Sequence, residues 1–281
     1  MPFRKAVLSL AVLLIASAPL ALAQGTYTQI DVPGELDTDC LGINTAGDIV
    51  GTYAAGYGFL LSGGTYTTIA YPGAESTTPF AINDKGQIVG YAEFSDASHV
   101  GFLYSVAAQS FTEIAYSSQN TVVTGINESG VMTGYYYSGE GSGIGFILDG
   151  SAWRFLGSSK YPRGITTSGA VAGNVESNGN ELFMFTFDKG QYQRIQHPSE
   201  EFILLEGVNP AGDSFVGYYI SNNLFYGFLC QNGSFSSLLF PGSNSTNANG
   251  INAAGVIVGQ FQDASGIHGF TWTPPADAAK K

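Results

Sequence analysis

GINTAGDIVG at residues 42–51 and GINAAGVIVG at residues 250–259 are one phrase at opposite ends of the chain. Four further copies lie between them: AINDKGQIVG (81–90), GINESGVMTG (125–134), GITTSGAVAG (164–173) and GVNPAGDSFVG (207–217). Asn44, Asn83, Asn127, Thr166, Asn209 and Asn252 hold the equivalent position, at intervals of 39, 44, 39, 43 and 43 residues. A period near forty residues marks an array of small supersecondary units.

The second unit shows how one copy folds. Residues 79–82 read as a short strand, Asn83 to Gly86 as a turn, and 87–91 as the returning strand. An Asn side chain can bond the backbone two residues on, and Gly supplies the positive φ that such a turn needs. A polar loop from Glu93 to Ser98 precedes a third strand at 101–104, and a short turn leads to a fourth at 111–114. Four short antiparallel strands in about forty residues make the blade of a β-propeller. A second Gly ends each apolar run, at Gly51, Gly90, Gly134, Gly173, Gly217 and Gly259. Gly within a strand marks a bulge or a close backbone approach, as the crowded inner edge of a blade requires. Phe59, Phe102, Phe146, Phe183, Phe228 and Phe270 recur in the third strand and are expected to pack blade against blade.

The fourth strand carries an aromatic residue, then Ile or Leu three positions on: Tyr66/Ile69, Phe111/Ile114, Trp153/Leu156, Tyr192/Ile195 and Phe235/Leu238. The unit at 247–273 lacks this signature, which appears instead near the start as Tyr27 and Ile30. Residues 25–32 are therefore expected beside the last hairpin, where they remove exposed strand edges. The predicted architecture is all-β: a six-bladed β-propeller of four-stranded antiparallel blades, closed by the N-terminal strand completing the last blade. It forms a single domain over 24–275, with repeats near 38–70, 78–116, 121–157, 161–196, 204–239 and 247–273, and a tail at 276–281. An open β-solenoid is the competing architecture. In the closed ring another blade separates Cys40 from Cys230. A disulfide needs Cα atoms within about 7 Å, so two buried free thiols are expected.

Residues 1–23 read as an export signal, with Arg4 and Lys5 before an apolar run from Ala6 to Ile15 and Ala21-Leu22-Ala23 as the cleavage site. Gln24 would begin a secreted or periplasmic chain without a membrane span. The 281 residues hold 10 Lys and Arg against 22 Asp and Glu, a net charge of −12. Such a surface repels phosphate backbones, which argues against nucleic acid as a partner. With 38 Gly, 19 Phe and 16 Tyr, and no sustained helical periodicity after residue 23, the composition favours strands.

Strand alternation places the Asn turns on one face and the longer, variable loops on the other. Binding and chemistry concentrate on variable loops over a rigid scaffold. Arg163 and Glu206 precede the Gly of neighbouring units and so approach the channel mouth, as a structural ion pair or a functional one. Asp39 is a further acid there, and Glu200 and Glu201 add charge near Glu206. Glu35, Asp37 and Asp39 alternate before the first repeat. Asp37 and Asp39 resemble the start of a calcium loop but lack its third acid and closing Glu, so Ca²⁺ is the one metal considered and no other cofactor is expected. His99, His197 and His268 are spread round the ring; His99 and His268 precede Gly-Phe in near-equivalent places, which favours a structural role. Asn127, Asn232 and Asn244 begin glycosylation sequons.

No Gly-x-Ser-x-Gly elbow, His-Glu-x-x-His, Cys-x-x-Cys or phosphate-binding Gly-Lys-Ser is present. The glycines at 139, 141, 143 and 145 lack nucleotide-binding spacing and read as a loop. The stretches AINDKGQIVGYAEFSDASHVGFLYSVAAQSFTEIAYSS (81–118) and GINAAGVIVGQFQDASGIHGFTW (250–272) resemble the HAF-type repeats of bacterial extracellular proteins. The likeness covers nearly the whole chain after residue 23 and is poorest at 157–200. It implies an exported bacterial protein with a propeller-like fold, and no activity. Two functions remain open. One is a binding or scaffold module, expected to be monomeric, for a glycan or a protein partner. The other is a propeller enzyme that acts on polysaccharide through acids such as Asp39 and Glu206.

Overall fold

The computed structural model describes residues 22–54, 56–138, 142–177, 181–196 and 202–276. Outside them lie most of the export signal and of the tail, together with His197, Glu200, Glu201, Gly139 and Gly141. Every described element is a strand, and none is a helix long and apolar enough to cross a membrane. In chain order these are β1 (Thr26–Ile30), β2 (Asp39–Ile43), β3 (Ile49–Tyr53), β4 (Tyr57–Ser62), β5 (Thr65–Ile69), β6 (Ser76–Ile82), β7 (Gln87–Glu93), β8 (His99–Ser105), β9 (Ser110–Ile114), β10 (Asn120–Ile126), β11 (Met132–Tyr137) and β12 (Gly143–Asp149). There follow β13 (Ala152–Ser158), β14 (Lys160–Ile165), β15 (Val171–Ser177), β16 (Glu181–Asp188), β17 (Gln191–Ile195), β18 (Ile203–Val208), β19 (Ser214–Ser221), β20 (Leu224–Gln231), β21 (Ser234–Leu238), β22 (Ser245–Ile251), β23 (Ile257–Gln262) and β24 (Ile267–Thr273).

The chain is an all-β propeller, but not one of six separate blades. Four antiparallel blades stand alone: β2–β5, β6–β9, β10–β13 and β14–β17. The other eight strands form one sheet, ordered β1-β24-β23-β22-β20-β19-β18 with β21 on β20. The expectation of six four-stranded blades is corrected here. Phe225 of β20 pairs in parallel with Ser245 of β22, so the repeats at 204–239 and 247–273 share a single sheet. Strand β1 pairs with β24, setting Tyr27 opposite Trp272 and Gln29 opposite Phe270. The Tyr27 ring lies 5.6 Å from Phe270 and 5.4 Å from Phe240, and burial pushes its hydroxyl up to about 12.

The Asn turns close as their chemistry dictates. Asn83 Oδ1 accepts from the N–H groups of Lys85 and Gln87 at 3.1 and 3.0 Å, and Asn127 does the same for Ser129 and Val131. The turn Gly takes positive φ, for example +83° at Gly130, which an L side chain resists. Four of the five buried turn Asn amides also cross to the next turn. Asn252 Nδ2 donates to the Asn44 carbonyl at 3.0 Å, Asn83 to that of Asn127 at 3.1 Å, and Asn127 to that of Thr166 at 3.1 Å. Asn44 reaches Asn83 at 3.4 Å. Thr166 has no amide to give, and there Thr167 N–H donates to the Pro210 carbonyl at 2.9 Å. Asn209 Nδ2 turns inward to Asp213 at 2.8 Å.

The second Gly of each unit has a bulge opposite it. Register shifts occur between Cys40 and Gly42, Pro79 and Ala81, Val123 and Gly125, Pro162 and Gly164, Leu205 and Gly207, and Ala248 and Gly250. A Cβ on Gly90 would stand 2.0 Å from the Thr78 carbonyl oxygen and 2.8 Å from the Phe102 ring, so no larger residue fits. The Phe set stands across from these glycines and is buried between sheets: Phe102, for instance, packs with Val50, Ile69 and Ile88. One member needs correction. Gly173 pairs with Phe185, not Phe183, which pairs with Val175; the step from Gly173 to Phe185 matches those from Gly90 to Phe102 and from Gly134 to Phe146. Cys40 and Cys230 are free and buried, and burial pushes both thiols up.

Candidate functional site

A β-bulge leaves one residue without a cross-strand partner and re-aims its side chain. In the six inner strands β2, β6, β10, β14, β18 and β22 that residue is Leu41, Phe80, Thr124, Arg163, Glu206 and Asn249. All six line one axial cavity of about 120 Å³, which runs on past Ile43, Ile126 and Ile251 to the turn residues Asn44, Asn127 and Asn252. The bulge thus turns a position that changes from repeat to repeat towards the axis, while the position three residues on is Asn in every unit but the one with Thr166.

Leu41 and Phe80 make an apolar arc of this ring, and the others a polar one. Arg163 and Glu206 approach to 3.5 Å with side chains 22% and 18% exposed. Desolvation works against the Arg163 charge, but Glu206 and the nearby Tyr135 and Tyr218 outweigh it and hold the guanidinium above its ordinary value. Burial raises Glu206, with Arg163 pulling the other way. Asn249 donates to Asp39 Oδ1 at 2.7 Å and to the Cys40 carbonyl at 3.1 Å. Burial and the Glu206 charge push Asp39 up to about 7, against the Asn249 bond. Thr124 Oγ is committed to the Pro162 carbonyl at 2.9 Å. The sequence-derived residues Asp39, Arg163 and Glu206 are therefore close to one another: Arg163 pairs with Glu206, the Glu206 charge acts on Asp39, and Asn249 of the polar arc holds Asp39.

A collar of aromatic rings rises above it, which sequence reasoning missed. Tyr91, Tyr135 and Tyr218 each follow the second Gly of their unit. Tyr91 stacks on Phe80 at 5.8 Å and meets the His99 ring at 5.2 Å. Tyr135 meets Tyr137 at 5.5 Å and Tyr161 at 5.1 Å. Tyr218 lies 5.8 Å from Phe225 and 6.3 Å from Phe202, both exposed. Burial raises the Tyr135 and Tyr218 hydroxyls. The available signal was the step from Gly to Tyr three times at one repeat position.

The other candidates stand apart. Asp37 is exposed with φ of 56°, whereas Asp39 is engaged by Asn249. Among the described residues no three His, Cys, Asp or Glu side chains gather as a metal site. His99 and His268 are not equivalent. His99 precedes Phe102 by three residues and His268 precedes Phe270 by two, so they point to opposite faces of their strands. His99 faces Glu93 at 3.8 Å. His268 sits 2.9 Å from Asp31 and 2.9 Å from Ser265 Oγ, the spacing of a Ser-His-Asp set. The Ser265 hydroxyl, however, donates to Asp263 at 2.6 Å. Ser98 makes the same 2.6 Å bond to Asp96 without a His, so this is a loop clasp that His268 extends to β1.

No protein-family model matches the chain, and no curated protein sequence does. Solved structures are similar in fold. TolB from Acinetobacter baumannii aligns with a TM-score of 0.58 at 11% identity, over 84% of this chain and 62% of that one. A putative TolB from Agrobacterium tumefaciens gives 0.61 at 12%, over 86% and 91%. XC5397 from Xanthomonas campestris, described as a gluconolactonase, gives 0.53 at 11%, over 92% and 98%. The chain thus spans under two thirds of the first of these and nearly all of the others. These likenesses show the β-propeller fold alone.

Proposed function

We propose that this chain is an exported binding module that takes a glycan at the axial mouth of its variable-loop face. One observation carries the reading: aromatic rings surround a polar axial arc at positions that vary between otherwise repetitive units. Ligand sites combine apolar walls with a few convergent polar groups, and flat Tyr rings offer an apolar face and a hydroxyl together. The −12 charge and the HAF-like phrase agree with a bacterial extracellular protein. Glycan-array binding of the purified chain tests the proposal. The Tyr135→Ala/Tyr218→Ala variant is expected to lose every positive signal while remaining folded. Unchanged binding by that variant would refute the reading. Sequencing the exported protein should give Gln24 as the first residue.

A second reading has its own support. Two buried carboxyl groups with raised affinity for protons, Asp39 and Glu206, are what acid–base chemistry uses. Product analysis after incubation with polysaccharide separates the two. Chain shortening that disappears in Asp39→Asn would make the protein an enzyme; bound but intact glycan leaves it a binding module.

A further inference from the structure

Arg163 and Glu206 form an incomplete pair. Their 3.5 Å approach exceeds the 2.7–3.2 Å of a good N–H···O hydrogen bond. Arg163 Nε is buried with no hydrogen-bond partner. A guanidinium carries five N–H donors and a carboxylate about four acceptor positions. Taking two such charges out of water is repaid only when further hydrogen bonds fill those positions. Among the bulge residues beside the pair, the Thr124 hydroxyl and the Asn249 amide are already committed. What the pair offers at the cavity is a buried, unpartnered donor on Arg163 beside a carboxylate that its 3.5 Å partner does not saturate.

Resting on the glycan reading above, we infer that the axial mouth anchors a neutral saccharide by two adjacent hydroxyl groups held between Arg163 and Glu206. A hydroxyl both accepts and donates, so a neighbouring pair gives Arg163 its acceptors and Glu206 its donors. Charged groups fit worse. A phosphate or carboxylate would meet Glu206 and Asp39 in a chain of net charge −12. An ammonium would meet Arg163. Size agrees as well: a cavity of about 150 Å³ admits benzene, so one of about 120 Å³ takes the edge of a sugar ring.

The test is calorimetric titration of the purified chain with methyl glycosides of glucose, galactose, mannose and xylose. Acetate, phosphate and choline serve as charged controls. At least one glycoside should bind, and its deoxy analogue lacking one of the paired hydroxyls should bind about tenfold to a hundredfold more weakly, as loss of a charge-assisted bond implies. Replacing the pair by Arg163→Met and Glu206→Met together, an exchange that buried ion pairs tolerate, should abolish binding with the melting temperature kept. Wild-type affinity in that double variant overturns the anchor, as does tighter binding of any charged control. If the Tyr135→Ala/Tyr218→Ala variant alone loses the glycoside, the glycan reading stands and the anchor falls. If no glycoside binds the unmodified chain, both fall.

Discussion

The two ends of the inner strands solve opposite problems. At the turn end, five of six repeats place Asn at one position and the sixth places Thr166; the Asn side chains tie their own turns, and all but Asn209 reach the next. At the mouth end the same strands carry six different residues at one bulge: Leu41, Phe80, Thr124, Arg163, Glu206 and Asn249. Both ends share a single backbone geometry, fixed by the second Gly and the Phe opposite it. The difference assigns stability to the constant end and recognition to the variable one. A bulge position contributes little to the ladder, so its side chain is free to change.

The sharpest way to break this division is to attack the shared frame. Gly90→Ala drives a Cβ to 2.0 Å from the Thr78 carbonyl, a backbone clash that should cost more than about 4 kcal/mol in urea unfolding. Next comes the constant end. Asn127→Ala deletes two turn bonds and the bond to Thr166, and should cost about 2–4 kcal/mol. The mouth gives a different signature, a pH dependence. Asp39 holds its proton to about 7 in the folded chain but only to about 3.9 when unfolded. Between those values the native state binds the extra proton, so stability falls as pH rises through this window and stays lower above it. Unfolding of Asp39→Asn between pH 4.5 and 7.5 should show that slope reduced. The smallest effect sharpens the comparison: Thr166→Asn supplies the missing cross-turn donor and should stabilise by up to about 1 kcal/mol. A loss of stability there would mean that this turn is built differently from its neighbours.

Much of the frame was legible because repetition exposes it. Asn83-x-x-Gly86 gave the turns, and Tyr27 and Ile30 marked the strand that pairs with β24. Blade separation was not legible, since one parallel pairing, Phe225 with Ser245, decides whether two repeats share a sheet. Phe185 was legible after all, since Gly173 precedes it by the same step that separates Gly90 from Phe102 and Gly134 from Phe146; setting Glu181-Leu182-Phe183 in the place of His-Gly-Phe hid it. At the site, Arg163 and Glu206 were visible by their place before the repeat Gly. The Asp39–Asn249 bond was not, because 210 residues separate its partners. The mismatch of His99 and His268 followed from a one-residue offset, which inverts a side chain in a strand.

Binding and melting measured together on two variants test the central claim most directly. The account predicts that the Tyr135→Ala/Tyr218→Ala mouth variant loses glycan binding while still folded, and that Asn127→Ala melts earlier than the unmodified chain and still binds. Glycan retained by the mouth variant and lost by a folded Asn127→Ala protein would contradict it.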